Sequence, residues 1–253
     1  AVGPIAPPRP CDPAAQLSLS AGKPYADAAM ASSPSDPKTV FSIDAEGVWC
    51  EVLRSPVGVA PRPALFLDRD GVIIEDADYL SRPEDARLVP GAAAIVAAAN
   101  RRGVPAILVT NQSGIGRGYY GWDSFAAVQR RILSLLADAN AAIDAVYACP
   151  HHPDGVDPYR HPDHPARKPN PGMMTRAGRD LRLDLARSWV VGDRANDLDA
   201  AKRAGMAGGV HVLTGHGRDE GERDAALALG DGRFTVGTAP SIAEAGALKQ
   251  WNA

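Results

Sequence analysis

Two aspartates two positions apart, Asp68 and Asp70, close the short apolar run Ala64-Leu65-Phe66-Leu67. In an extended chain, side chains two apart point to the same side, so both carboxylates can serve one site. Gly71 follows and admits a tight turn. Parallel α/β sheets carry their chemistry at the carboxyl ends of strands, which is where this pair would stand. The plainer alternative is an Asp-Gly pair that only closes a turn.

Three further polar groups follow apolar runs in the same manner. After Val109 come Thr110-Asn111-Gln112-Ser113-Gly114-Ile115-Gly116-Arg117-Gly118, which combine a hydroxyl, an amide, glycine-freed backbone N–H groups and Arg117. That set suits a phosphate, although a flexible surface loop would look similar. Arg167-Lys168-Pro169-Asn170-Pro171-Gly172 puts a lysine near the start of a predicted helix, a good place for an anion and equally for an ordinary solvated cation. Gly192-Asp193-Arg194-Ala195-Asn196-Asp197 sets two acids at a strand end and a first helical turn. There they either complement the helix dipole or offer oxygen ligands to Mg2+.

The elements that must position these groups alternate. Strands are expected from Ala64, over Val104–Val109, Ile143–Ala148, Trp189–Gly192 and Gly209–Leu213. Helices are expected over Gly91–Arg102, over Trp122–Ala139 with Asp123 as cap, over Pro171–Arg182 and over Ala195–Ala204. Ser241 with Glu244 forms a capping box for a last helix running to about Gln250. Strands alternating with helices through short connections imply an α/β fold with a parallel sheet flanked by helices. Ahead of this domain, spanning 63–253, two segments are expected. Residues 1–38, rich in Pro, Ala and Ser, read as a disordered or extended segment, and 39–62 hold short strands that pack on the core edge.

Bulk properties exclude several classes. Of 253 residues 45% are hydrophobic, and 27 basic against 30 acidic residues leave a net charge of -3. This balance offers no electrostatic footprint for nucleic acid or a membrane surface. No apolar run reaches the ~20 residues that span a bilayer, and the first residues lack a basic region followed by an apolar core. Cys11, Cys50 and Cys149 are odd in number and far apart, so no disulfide framework and a cytoplasmic setting are expected. A monomer is the expected state.

Taken in order, the motifs Asp-x-Asp, Thr-Asn, Lys-Pro and Gly-Asp-x-x-x-Asp resemble the haloacid dehalogenase-like (HAD) phosphohydrolase superfamily. The longer forms Asp-Arg-Asp-Gly-Val-Ile, Thr-Asn-Gln-Ser-Gly-Ile-Gly-Arg-Gly and Arg-Lys-Pro-Asn-Pro-Gly-Met are similar to the branch of heptose-bisphosphate and histidinol-phosphate phosphatases. The resemblance spans about residues 62–215 and implies a Rossmann-like HAD fold. With few elements between Asp70 and Thr110 or between Asn111 and Lys168, no cap domain is expected, leaving selectivity to loops 112–121 and 149–167.

By resemblance, Asp68 is the nucleophile and Asp70 the general acid and base. Thr110, Asn111, Arg117, Arg167, Lys168 and Arg194 are the substrate- and phosphate-binding set. Mg2+ is held by Asp68, the backbone carbonyl of Asp70 and Asp193, with Asp197 behind them. The implied activity is hydrolysis of a small phosphorylated metabolite, a heptose 1,7-bisphosphate first and histidinol phosphate second. A phosphoryl-accepting module without turnover is the rival from another class, and it has no need of Asp70. In the heptose branch, loop 149–167 commonly binds structural Zn2+ through Cys-x-His and then Cys-x-Cys before Arg-Lys-Pro. Here Cys149-Pro150-His151 stands, but His164 and Ala166 occupy the second pair. The resemblance therefore leaves Cys149, His151 and His164 as zinc ligands, with His152, His161 or Asp163 as a fourth. Plain solvated histidines are the alternative.

Overall fold

The computed structural model describes residues 40–54 and 60–245; the expected N-terminal extension and the far end of the last helix lie outside them. Eight strands among the described residues form one sheet in the order β1-β2-β5-β4-β3-β6-β7-β8. They are β1 (Val40–Ile43), β2 (Trp49–Val52), β3 (Leu65–Leu67), β4 (Ala106–Asn111), β5 (Ala145–Cys149), β6 (Trp189–Gly192), β7 (Gly208–Val212) and β8 (Thr235–Ala239). From β5 to β8 every pairing is parallel. The hairpin β1–β2 adds two antiparallel strands by pairing Trp49–Val52 with Ala148–Ala145. The expected short strands thus extend the main sheet itself.

The helices are α1 (Ala92–Arg101), α2 (Ser113–Gly116), α3 (Trp122–Asp138), α4 (Gly172–Asp180), α5 (Ala195–Arg203), α6 (Glu222–Leu227) and α7 (Ile242–Ala245). They cover both faces of the sheet, as a buried parallel sheet requires. Strand alternation sorts the core into two layers. Leu65, Leu67 and Leu108 pack with Val96 of α1, Phe125 and Ile132 of α3 and Ile242 of α7. Phe66, Ile107 and Val109 pack on the other face with Met173 and Met174 of α4, Leu198 of α5 and Ala226 of α6. No inserted domain interrupts β3 to β4 or β4 to β5 among the described residues. None of the described helices is long and apolar enough to cross a membrane.

Some expectations shift. Thr110 and Asn111 belong to β4 rather than following it. Asp123 does not cap α3: Gly121 holds the cap position and Asp123 lies inside the first turn, where it still complements the dipole. Ser241 does stand at the start of α7, where its Oγ accepts the Ala243 N–H at 3.1 Å and donates to Glu244 at 2.6 Å, a side-chain pairing in place of the expected reciprocal capping box. Strand β8 and helix α6 were not foreseen. β8 is a partly exposed edge strand broken in pattern by Gly237, so alternation is weak there.

The order places β3 in the middle, with β4 on one side and β6 on the other. The winding direction reverses there, and a crevice opens beyond the strand's carboxyl end. Ser188, fully buried at the entry to β6, fixes the opposite end. Its Oγ accepts the Ala64 N–H at 2.9 Å and donates to the Asp184 carbonyl at 2.6 Å. Ser188→Ala would orphan a buried N–H and should cost about 1–3 kcal/mol, read as a lower midpoint in thermal or urea unfolding. An unchanged midpoint would show that water replaces the hydroxyl.

Candidate active site

The carboxyl end of β3 feeds directly into the crevice. Asp68 donates its backbone N–H to the Val191 carbonyl of β6 at 3.0 Å, still in sheet register. The chain then folds tightly back, with Ile73 and Ile74 N–H groups on the Arg69 carbonyl at 3.0 Å. Gly71 makes the turn at φ +79°, and Gly215 approaches it at φ +51°. A Cβ on either glycine would overlap the Asp193 carboxylate, so the missing side chains create that group's room.

Lys168 reaches the centre from the loop ahead of α4. Its Nζ lies 2.8 Å from Asp68 Oδ1, 2.5 Å from Asp197 Oδ1 and 2.9 Å from the Val109 carbonyl. Asn111 clamps the lysine's backbone, donating to its carbonyl at 3.0 Å and accepting its N–H at 3.1 Å. That use of the amide places Asn111 behind Lys168 as a support. Asp197 is held in turn by the Arg194 N–H at 3.0 Å, in the first turn of α5. Both sequence readings of Asp197 therefore apply together, as a favourable charge at a helix start and as a partner of the site lysine.

Asp193, at the end of β6, is 1% exposed and accepts the His216 N–H at 2.8 Å. Asp68, Asp193 and Asp197 bring carboxylate oxygens to within 4.8 Å of one another. Burial raises the Asp68 pKa above the usual carboxylate range despite Lys168, and neighbouring Asp197 and Asp70 add to the rise. Burial raises Asp193 as well, reinforced by Asp68 and Asp197. Desolvation works against the charge on Lys168, yet the two carboxylates beside it prevail and its pKa rises. One cation among three buried acids leaves negative charge uncompensated. Oxygen donors with excess negative charge, in a cavity with room for a phosphate, are the donor set Mg2+ takes.

Asp70 belongs to a second cluster. Arg69 grips it at 3.0 and 2.9 Å through Nε and Nη2, and Gln112 Nε2 donates to it at 2.9 Å. Gln112 also donates to Thr110 Oγ1 at 2.8 Å, and its Oε1 accepts from Tyr120 at 2.6 Å and from Arg69 at 3.1 Å. Arg69 is 1% exposed, with its guanidinium 5.3 Å over the Phe125 ring. Arg69, Gln112 and Tyr120 were absent from the sequence-derived site. Arg69 and Gln112 sat inside the motifs themselves, but nothing in their spacing shows that they pair across two loops.

These groups line one cavity of about 350 Å³. Asp68, Asp70, Thr110, Lys168 and Asp193 form its floor, and Arg117, His152, Arg167 and Arg194 stand along its wall. Arg117 contacts Tyr79 Oη at 3.1 Å and His152 Nε2 at 3.0 Å, and Arg167 donates to the His151 carbonyl at 2.9 Å. Arg194 is turned toward Glu222 at 3.9 Å. On the opposite rim His216 bridges Asp76 at 3.0 Å and Asp219 at 2.7 Å.

The zinc candidates gather behind the wall without forming a metal site. Cys149 Sγ lies 3.9 Å from His164 Nδ1, and the His151 and His164 rings stack at 3.7 Å and 4°. Imidazole lone pairs lie in the ring plane, and two parallel planes share no point where one ion could sit. His151 Nε2 is also committed to the Glu46 carbonyl at 2.6 Å, and His164 Nδ1 to the Ala166 N–H at 3.1 Å. Burial, aided by His151 and His161, drives the His164 pKa down to about 4. Burial pushes the Cys149 thiol up to about 12, so it stands as a neutral thiol. The residues present do not fit a tetrahedral zinc.

The HAD-hydrolase-like family matches residues 165–232. Over 163 residues the chain is 53% identical to a D-glycero-beta-D-manno-heptose-1,7-bisphosphate 7-phosphatase of Mesorhizobium japonicum, covering 64% of this chain and 75% of that protein. A D-glycero-D-manno-heptose-1,7-bisphosphate 7-phosphatase of Thermosynechococcus vestitus is 45% identical over 161 residues, 62% of this chain and 82% of the relative. A crystal structure of a HAD-like phosphatase candidate from Mesorhizobium loti superposes with TM-score 0.65 at 47% identity, covering 74% of this chain and 97% of that one. The D,D-heptose 1,7-bisphosphate phosphatase of B. bronchiseptica, complexed with magnesium and phosphate, superposes with TM-score 0.63 at 31% identity, over 76% and 99% of the two chains.

The crowded carboxyls carry a pH signature. A carboxyl whose pKa is raised on folding, from 3.8 upward for Asp68 and Asp193, contributes stability fully below that value and loses it as pH rises. In a chelator the thermal midpoint should therefore fall between about pH 5 and pH 9, and Mg2+ should restore more stability as pH rises. Melting curves with EDTA and with Mg2+ that stay parallel across this range would contradict the crowding.

Proposed function

The chain belongs to the HAD-like hydrolases, in the branch of the heptose-bisphosphate phosphatases, and from that premise we propose that it is a Mg2+-dependent phosphomonoester hydrolase acting on a heptose 1,7-bisphosphate. The observation that carries the reading is the contact of Asp68 with a buried Lys168 at 2.8 Å, beside Asp70 and Asp193 at the crevice floor. The arginines of the wall support a bisphosphate, because Arg117 and Arg167 offer a second phosphoryl group a site apart from the first. A cytoplasmic setting is the one we assign, on the cysteine usage.

Each side chain has a task in this reading. Asp68 attacks phosphorus in line with the leaving sugar oxygen, giving an aspartyl phosphate, while Asp70 donates a proton to the departing alkoxide. Water then attacks the acyl phosphate; Asp70 takes its proton, and phosphate leaves as the Asp68 carboxylate is regenerated. Arg69 and Gln112 fix the direction of Asp70 through these transfers. Thr110 and Lys168 hold the phosphoryl oxygens, and Asp197 with Asn111 keeps Lys168 aimed. Mg2+, held by Asp68, the Asp70 carbonyl and Asp193, would offset repulsion between carboxylate and phosphate dianion and stabilise charge in the transition state.

Asp68→Asn should abolish Mg2+-dependent phosphate release with the fold intact by circular dichroism. Asp70→Asn should lower kcat by about 10²–10⁴. Wild-type turnover by the Asp68 variant would sink the nucleophile assignment. Across a panel of phosphorylated sugars and histidinol phosphate, kcat/KM should be highest for heptose 1,7-bisphosphate. A preference for histidinol phosphate would overturn the substrate class while leaving the reaction type standing.

A further inference from the structure

We propose that the β1–β2 hairpin, acting as a direct protein clasp, does the work of a structural metal in holding loop 149–167 against the cavity. The disagreement between this loop and a zinc site raises the question of what else fixes it. Loop 149–167 carries His152 and Arg167 into the cavity wall, so its position matters to anything that binds there.

His151 is the pivot. Its side chain is 5% exposed and gives its Nε2–H to the Glu46 carbonyl in the hairpin turn, at 2.6 Å. Its own carbonyl accepts the Arg167 guanidinium at 2.9 Å. One residue therefore connects the hairpin turn to a cation of the cavity wall. His151 Nδ1 is buried with no hydrogen-bond partner, which fits a ring held by its other nitrogen and by stacking on His164.

The turn is built to present that carbonyl. Asp44 Oδ1 accepts the Glu46 and Val48 N–H groups at 2.9 Å, closing the turn from inside. Its other oxygen pairs with Arg176 of α4, anchoring the turn to the helix behind the loop. Gly47 sits at φ +77°, and a Cβ there would strike the Tyr159 ring of the loop. Tyr159 accepts the Trp122 indole N–H at 3.0 Å, and Trp122 stacks on Trp49 of β2 at 5.6 Å. The hairpin thus meets the loop through the hydrogen bond at His151, through Glu46 Oε2 at 4.0 Å from His164 Nε2, through Gly47 packed on Tyr159, and through an aromatic chain that also ends at Tyr159. The expected cysteine pair before Arg167 is replaced by His164 and Ala166, and the place of metal bonds is taken by these contacts.

The test uses the full chain purified from zinc-supplemented medium. Elemental analysis should find no stoichiometric zinc. With Mg2+ in excess, a zinc-selective chelator should leave the thermal midpoint unmoved. His151→Leu, which removes the donor to Glu46, should lower the midpoint by about 2–8 °C and raise KM about tenfold with kcat within about twofold. His151→Gln keeps an N–H donor and should restore both values, whereas a lost zinc ligand would not be rescued this way. Gly47→Val, strained at a left-handed position and pressing on Tyr159, should act like His151→Leu. Near-stoichiometric zinc, a chelator-induced fall in the midpoint, or failure of His151→Gln to rescue would overturn the clasp. The KM readout rests on the phosphatase reading, but metal content and melting do not, so failure of either idea can be told apart.

Discussion

A single buried ammonium holds the site together. Lys168 Nζ bonds Asp68, Asp197 and a β4 carbonyl at once, in a place from which water is nearly excluded. Taking such charges out of water is costly, and burial of this kind is repaid only when hydrogen bonding is complete. The surrounding structure supplies that completeness. Asn111 grips the lysine's backbone from β4, and α5 grips Asp197 from its first turn. The lysine therefore ties together the ends of β3 and β4 and the start of α5, beside the Arg69–Asp70–Gln112 cluster that also joins the first two. Even so the balance stays negative, with Asp68 and Asp193 both raised by burial. A crevice left short of positive charge is poised for a cation and a transferable phosphoryl group, and costs stability in their absence.

Much of this was legible because parallel sheets report their active ends in sequence. A buried strand is a short apolar run, and the residue after it is at the crevice. Asp68 and Asp193 could be placed on that rule, with Thr110 inside the end of β4, whereas Lys168 stands far beyond β5 and was singled out by its position ahead of a helix and by resemblance; the two-layer core follows from alternation in β3 and β4. What the pattern does not carry is pairing across loops. Arg69 alternates away from Asp68, as expected, yet its long side chain curls back to grip Asp70 over the face of Phe125. Gln112 carried no assigned role in the glycine-rich stretch, yet it joins Thr110, Asp70 and Tyr120. Asp123 was misplaced by two positions because Gly121 makes no recognisable side-chain cap. β8 escaped because an edge strand needs no apolar face on both sides.

The histidine loop shows the limit of reading ligands from spacing. Cys149, His151 and His164 do come together, as their resemblance to a metal loop implied. Proximity is not coordination, however. Stacked parallel rings aim their lone pairs past each other, and their nitrogens are already engaged with the backbone at Glu46 and Ala166. The partner that decides the matter, the β1–β2 turn, lies more than a hundred residues earlier in the chain. It falls outside the stretch that carries the family motifs, so no local inspection of the loop could supply it.

Gly71 and Gly215 close on Asp193 from two separate loops, each lacking the atom that would collide with it. Backbone thus makes the room for Asp193 on two sides, and substitution at these two positions has no small steps: the first added carbon already intrudes on an acid of the floor. The wall is different, since Arg117, His152 and Arg167 are half-buried side chains carried on loops and held by hydrogen bonds to one another and to neighbours. A change at Gly71 or Gly215 therefore reaches the floor acid at once, whereas a change at Arg117, His152 or Arg167 alters only what lines the cavity.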